Sequence, residues 1–226
     1  MWAVVVAAGQ GTRFGGADGV PKALRSVAGI PMYLRALVAF DRHPRIDGCV
    51  LVFPLIWEGQ ILEQLVGAVA GPIELVPGGQ SRRASVAAGI EALGDDVATV
   101  VVHDAARPLV EPSLIDAVLD ALSGVDAAVP VIPVADTIKR VEGDRVRETV
   151  ARDGLARVQT PQAFDLDALR RAHREVTEDG ATDDAVLIER SGGSVAVVAG
   201  DERNIKITTR ADLLLAEALL GSEVSG

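Results

Sequence analysis

At 226 residues the chain is sized for one large domain or two small ones, and 49% hydrophobic with 24% charged residues is ordinary for a globular protein that builds its core without staples. Twenty-two Lys and Arg against 32 Asp and Glu leave a net charge of −10, which excludes a nucleic-acid-coating surface, since that binding rests on cations neutralising phosphates. The single cysteine, Cys49, excludes an intramolecular disulfide and makes the cytoplasm the expected location.

Residues 2–8 are almost continuously apolar and run into a glycine loop without a basic segment ahead of them. That pattern predicts a strand buried on both faces and not a signal peptide. No stretch approaches the roughly 20 apolar residues of a membrane helix. Helical spacing follows over 31–41, a strand over 49–53, a helix over 61–70 and a strand over 73–76. Ser81 is placed to cap a helix running to about Leu93. A strand over 98–102 ends at His103-Asp104, a helix spans 112–122, and a fifth strand spans 127–132. This βαβα rhythm predicts an α/β fold, a three-layer sandwich on a mostly parallel central sheet with right-handed crossovers.

The rhythm breaks over 133–158. Residues 137–142 and 145–150 read as two strands around a Gly143-Asp144 turn, with too few large apolar residues for a core of their own. The segment is either a floppy surface hairpin or a projecting β-arm covered by a partner, as exposed sheet edges usually are. Helices near 167–176 and 183–189, short strands at 195–198 and 205–208, and a final helix at 211–220 complete a single domain over 1–226.

Four segments have the residue types of a phosphate-handling site. Ala7, Ala8, Gly9 and Gly11 follow the first strand, and glycines there let backbone N–H groups approach a phosphate. Phe14 stands where a dinucleotide fingerprint needs its third glycine, and no Walker Gly-Lys-Ser/Thr follows. Arg13 and Lys22 flank the loop as two cations, so a triphosphate cradle and a plain tight turn both remain open. Only three lysines occur, Lys22, Lys139 and Lys206, and a compact ammonium suits phosphate well; Lys22 and Lys206 are the expected phosphate ligands.

Gly78 and Gly79 lead into the Ser81 helix, whose N-terminal N–H groups favour anions, and Arg82 and Ser85 share one helix face while Arg83 reads as solvated. Asp104 sits at the carboxyl end of the most β-branched strand, where open α/β sheets bind ligands, and is a hard oxygen donor suited to Mg²⁺ shared with phosphate. His103 reads as structural, and His43 and His173 as surface residues. Cys49 lies inside an apolar strand, where a thiol is usually inert. No nucleophile elbow and no zinc ligand set are present.

Seven segments in order, AAGQGTRFG…PK, GGQSRRASV, HDAARP, DTIKR, RDGLARVQTPQAF, TDDA and NIKIT, resemble the bacterial 2-C-methyl-D-erythritol 4-phosphate cytidylyltransferases of non-mevalonate isoprenoid synthesis. The resemblance covers about residues 2–220, with Ala23 where relatives often have glutamine. It implies a Rossmann-like nucleotidyltransferase fold and transfer of CMP from CTP to methylerythritol phosphate with a divalent cation. It also implies roles. Ala7, Ala8, Gly9 and Gly11 would line the CTP site, and Gly79, Arg82 and Ser85 the cytosine neighbourhood. Arg13 and Lys22 would hold the triphosphate, and Asp104 Mg²⁺. Arg107, Thr137, Thr160 and Thr182 would be on the acceptor side. Lys206 and Arg152 would orient the nucleophile, with Arg152 reaching across a homodimer built by the arm. The nearest alternative is a ribitol 5-phosphate cytidylyltransferase. A non-catalytic CTP-sensing domain and an NAD-dependent oxidoreductase are the readings from other classes, the latter disfavoured by Phe14 and by Phe53-Pro54 ending the second strand.

Overall fold

The computed structural model describes residues 1–9, 19–176 and 183–223. The chain begins with β1 (Trp2–Val6), followed by a 3-10 turn at Lys22–Leu24 and a small hairpin, β2 (Ser26–Val27) and β3 (Ile30–Pro31). Next come α1 (Met32–Asp41), β4 (Gly48–Phe53), α2 (Glu58–Leu65), β5 (Ile73–Pro77), α3 (Arg82–Glu91) and β6 (Thr99–Asp104). The second half holds α4 (Pro112–Asp120), β7 (Ala127–Pro133), β8 (Ile138–Glu142), β9 (Arg145–Val150), β10 (Ala156–Val158) and β11 (Gln162–Asp165). It closes with α5 (Leu166–Glu175), α6 (Ala185–Arg190), β12 (Val195–Ala199) and α7 (Arg210–Glu223).

The main sheet runs β5-β4-β1-β6-β11-β7, with β10 and β12 also paired to β7. Pairings of β1 with β4 and β6, of β4 with β5 and of β12 with β7 are parallel. Alternation along the strands assigns the two faces. Ala3, Val5, Cys49, Leu51, Phe53 and Val101 pack with α1, α2 and α4, whereas Val4, Val50, Val52, Val100 and Val102 pack with α3, α5 and α6. Helices on both faces explain why β4 is apolar and buried along its whole length. Helix α3 lies so close to the sheet that a Cβ on Gly89 would fall 2.6 Å from Val4 Cγ1. A third cluster, with Val27, Met32, Leu109, Ile207 and Ala216, seats α7 over the β2–β3 hairpin. None of the helices among the described residues is long and apolar enough to cross a membrane.

The expected three-layer α/β/α sandwich is therefore present, with three differences. Strands β10 and β11 enter antiparallel beside β7, and β11 also pairs with β6, where the sequence predicts no strand. Residues 205–208 are not a strand: Ile207 donates its N–H to the Ala106 carbonyl at 2.8 Å and is buried, without joining the sheet. The helix expected over 61–70 lies earlier, at Glu58–Leu65. The hairpin expected within 133–158 is formed by β8 and β9, a separate two-stranded sheet whose Val141 and Val146 are exposed.

Candidate active site

Crossovers from β1 to β4 to β5 build the sheet in one direction, and the next connection, through α3, places β6 on the other side of β1. Such a reversal leaves a crevice at the carboxyl ends of the strands. Ala7, Gly78 and Asp104 all stand at those ends. The N–H of Ala7 is already donated to the Val52 carbonyl at 2.7 Å, so this residue extends the strand; Ala8 and Gly9 lie beyond it. The loop after β5 presses against Ala8, since a Cβ on Gly78 would sit 2.0 Å from Ala8 Cβ. Ser85 shapes that loop: its buried hydroxyl accepts from the Gly79 N–H at 3.2 Å and donates to the Ser81 carbonyl at 2.9 Å. Ser81 caps α3, accepting from the Ala84 N–H at 3.1 Å.

A cleft of about 360 Å³ opens beside β6, lined among others by Arg82, Asp104, Arg107, Thr160, Gln162 and Lys206. Asp104 is its electrostatic centre. Oδ1 accepts from Arg82 Nε at 3.0 Å, Oδ2 accepts from Lys206 Nζ at 2.6 Å, and its backbone N–H is donated to Thr160 Oγ1 at 3.0 Å. Burial alone would favour the neutral acid, but the Arg82 and Lys206 charges outweigh it and hold the carboxyl well below the usual carboxylate range. Lys206 keeps 42% of its side chain exposed, so its ammonium is open to an incoming anion while paired with Asp104. The I-K-I-T stretch read as a strand does its work here, with Ile207 in the core and Lys206 in the cleft.

Arg107 donates Nη1 to the Asn204 carbonyl at 2.8 Å and Nη2 to the Val158 carbonyl at 3.3 Å, and burial lowers its pKa. Two guanidinium nitrogens of residues that line the cleft, Arg82 Nη2 and Arg107 Nε, are buried without a protein acceptor. Buried donors of this kind ask for a partner, and an anionic ligand supplies one. A larger, mainly apolar groove of about 580 Å³ lies elsewhere, between α1, residues 108–112 and Leu220, and contains none of the expected site residues.

The sequence profile of the 2-C-methyl-D-erythritol 4-phosphate cytidylyltransferases matches residues 1–222. The chain belongs to this family. It is 43% identical to the 2-C-methyl-D-erythritol 4-phosphate cytidylyltransferase of Frankia casuarinae over 96% of this chain and 80% of that protein. It is 44% identical to the bifunctional enzyme IspD/IspF of Solidesulfovibrio magneticus, over 96% of this chain but only 57% of that enzyme's length. Among solved structures, the 4-diphosphocytidyl-2C-methyl-D-erythritol synthase of Anaerococcus prevotii superposes with a TM-score of 0.84 at 31% identity, covering 97% of each chain. The 2-C-methyl-D-erythritol 4-phosphate cytidylyltransferase of Thermus thermophilus does so at 0.76 and 34%, covering 96% of this chain and 97% of that one. Membership makes the chain an enzyme of the nucleotidyltransferase type and favours neither the sensor nor the oxidoreductase reading.

In this cytidylyltransferase the structure unites Arg82, Asp104, Arg107, Thr160 and Lys206 in one cleft. Gly79, Ser85 and Ala8 form the adjoining loop contacts. Lys22 opens its 3-10 turn, and Thr137 is exposed at the base of the hairpin. Arg152 is exposed and donates to the Ala135 carbonyl, outside its own chain's cleft. Lys139 donates to Thr149 Oγ1 at 2.6 Å within the hairpin. Gly11, Arg13 and Thr182 lie outside the described residues.

Three side chains expected to be solvated are engaged by the protein. His43 is buried, its Nε2 3.5 Å from Asp116 Oδ1. The His173 side chain is 6% exposed, with its Nε2 3.3 Å from Asp184 Oδ1. Arg83 donates to the carbonyls of His173 and Val176. His103 is structural as expected: Nε2 contacts the Arg107 carbonyl at 3.0 Å, and burial pushes the imidazole down to about 4. Burial, with the nearby Asp41 charge, pushes the Cys49 thiol up to about 12, which fits the expected inert cysteine. Sequence reasoning missed Asp184, Gln159 and Asn204. Asn204 is fully buried and donates Nδ2 to the Thr160 carbonyl at 2.7 Å, and Gln159 Nε2 donates to the Asp201 carbonyl at 2.7 Å. Each stands inside a segment that carries the family resemblance, and that membership was the available signal.

The donor set fits a divalent cation of one kind. No cluster of three His, Cys, Asp or Glu side chains occurs among the described residues, so a cage built by protein alone is not offered there. A single buried carboxylate at a phosphate-sized cleft fits Mg²⁺, which typically binds one or two carboxylates and takes its other ligands from phosphate and water.

Proposed function

We propose that this chain transfers CMP from CTP to 2-C-methyl-D-erythritol 4-phosphate, giving 4-diphosphocytidyl-2-C-methyl-D-erythritol and pyrophosphate for isoprenoid synthesis. The single observation that carries the reading is Asp104 held between Arg82 and Lys206, with Arg107 alongside, in a cleft whose two arginines each keep a buried donor without a protein acceptor.

The chemistry needs no general base. A phosphate monoester has its second pKa near ~6, so the attacking oxygen is largely anionic at neutral pH. His103 fits this account: it is buried, neutral and engaged with a backbone carbonyl. The barrier is the approach of an anion to a polyanion, so alignment and charge neutralisation dominate. Asp104 would hold Mg²⁺, which when bound supplies charge neutralisation at the nucleotide phosphates. Arg13 and Lys22 would hold the triphosphate and the departing pyrophosphate, and Ala7, Ala8, Gly9 and Gly11 would line the CTP site. Gly79, Arg82 and Ser85 would face the cytosine side. Arg107, Thr137, Thr160 and Thr182 would face the acceptor, with Lys206 orienting its phosphate. We place Arg152 in the cleft of a second copy, joined through the projecting β8–β9 arm as a homodimer, and the enzyme in the cytoplasm.

The test is pyrophosphate release from CTP and Mg²⁺ with methylerythritol phosphate or ribitol 5-phosphate as acceptor. Fast release with methylerythritol phosphate alone is the expected result. Release with ribitol 5-phosphate alone would overturn the acceptor, and release with neither would overturn the transfer reading.

A further inference from the structure

We propose that Asp184 is a positioning residue for the transfer reaction: braced by His173, it fixes the plane of the Arg82 guanidinium and so sets where that group's remaining donor points. The inference rests on the cytidylyltransferase reading and adds to it a residue that does not itself line the cleft.

Asp184 stands at the start of α6 with 1% of its side chain exposed. Each carboxylate oxygen has its own partner. Oδ2 accepts from Arg82 Nη1 at 2.7 Å, and Oδ1 lies 3.3 Å from His173 Nε2 on α5. Its backbone is also fixed, because its carbonyl accepts from the Leu187 N–H at 3.0 Å in the first turn of α6. The brace behind it is held in turn by α3: Arg83, the neighbour of Arg82, donates to the His173 carbonyl at 2.9 Å and to the Val176 carbonyl. Two consecutive arginines therefore grip both ends of one arrangement.

A guanidinium is planar and rigid, so two anchors determine the third nitrogen. Arg82 has Nε on Asp104 at 3.0 Å and Nη1 on Asp184 at 2.7 Å. Nη2 is the nitrogen left buried without a protein acceptor, and Arg82 lines the cleft. Without the Asp184 anchor the fork could turn about its Nε contact and bring a second N–H to Asp104. That would engage the carboxylate that the reaction uses and misdirect the donor meant for ligand. With it, Arg82 touches Asp104 through one nitrogen only.

The experiment is a mutant cycle on the full chain, with kcat and KM for both substrates from pyrophosphate release and folding followed by thermal melting. Asp184→Asn keeps the shape and removes the charge. It is expected to lower kcat/KM for CTP by about 10–100-fold, the usual range when a buried partner of a site residue is removed, while KM for the acceptor stays unchanged. Arg82→Lys keeps a cation between the two carboxylates but removes the fork, so Asp184→Asn in that background is expected to cost less than about 3-fold. His173→Gln should give a smaller loss that vanishes in the same background. Equal losses from Asp184→Asn in the wild-type and Arg82→Lys backgrounds would overturn the proposal, as would wild-type kinetics in Asp184→Asn. If Asp184→Asn does not fold, the His173→Gln cycle decides by the same criterion. If wild type itself releases no pyrophosphate, the functional reading fails separately. The cycle is then read in the Kd for CTP by calorimetry, where additivity again overturns the positioning role.

Discussion

Two regions of the molecule hold arginine–carboxylate pairs of nearly the same length, and they do different things. In the cleft, Arg82 reaches Asp184 at 2.7 Å and Asp104 at 3.0 Å, with the two carboxylates 1% and 11% exposed. On the β8–β9 hairpin, Arg140 reaches Glu148 at 2.6 Å with both side chains more than half exposed. Breaking a buried pair strands a charge and costs about 3–5 kcal/mol, whereas an exposed pair is worth roughly 0.2–1 kcal/mol. Distance alone would rank the hairpin first. Burial, and the donors left unmet beside the buried pair, reverse the order and separate a site from a surface.

The largest break in that comparison comes from Asp104→Asn. It takes the shared counter-charge from Arg82 and Lys206, leaving Arg82 with Asp184 alone, and removes the buried carboxylate of the cleft. Turnover is expected to fall by about 10²–10³-fold, as when one element of a preorganised electrostatic site is lost. Steady-state kinetics with saturating CTP check this. Near-normal turnover would mean that the buried cluster is architecture and that the chemistry lies elsewhere.

Next in size is Gly78→Ala. The added Cβ would collide with Ala8 Cβ at 2.0 Å, so the loops after β1 and β5 must separate. Overpacking of this kind costs about 1–3 kcal/mol. Both loops border the nucleotide side of the cleft, so weaker CTP binding should accompany the lower stability. Urea denaturation and CTP titration on one sample measure the two together. A stability loss with unchanged CTP affinity would detach these loops from the nucleotide.

The same contrast explains what was legible in the sequence. Strands buried on both faces announce themselves as apolar runs, so β1, β4 and β6 could be read almost to their ends. Segments whose environment is made by distant residues could not. Gln162–Asp165 is short and follows a proline, and it becomes a central strand only because β6 and β7 flank it. Residues 205–208 alternate like a strand, yet the alternation serves the core at Ile207 and the cleft at Lys206. Asp104 and Lys206, 102 positions apart, could be suspected one by one from residue type and position. Their pairing, and the Asp184 anchor behind Arg82, depend on side-chain geometry that no local pattern encodes. His173 misled for the same reason: a histidine in a charged helix looks solvated until α6 packs against it.

The smallest expected effect tests the other half of the comparison. Glu148→Ala removes the partner of Arg140 on a hairpin whose Val141 and Val146 are exposed in the single chain. If that surface faces water, urea denaturation should shift by less than about 1 kcal/mol, and the shift should shrink with added salt and not depend on protein concentration. If a second copy covers the hairpin, as the proposed homodimer requires, the pair is desolvated in the assembly. The loss then exceeds the surface range at high protein concentration and shrinks toward it on dilution, because stability and association are linked by mass action. Mixing Arg152→Ala with Lys22→Ala subunits adds a functional reading of the same contact. Recovered activity places Arg152 in a neighbour's cleft, and no recovery returns the hairpin to the solvent-exposed side of the comparison.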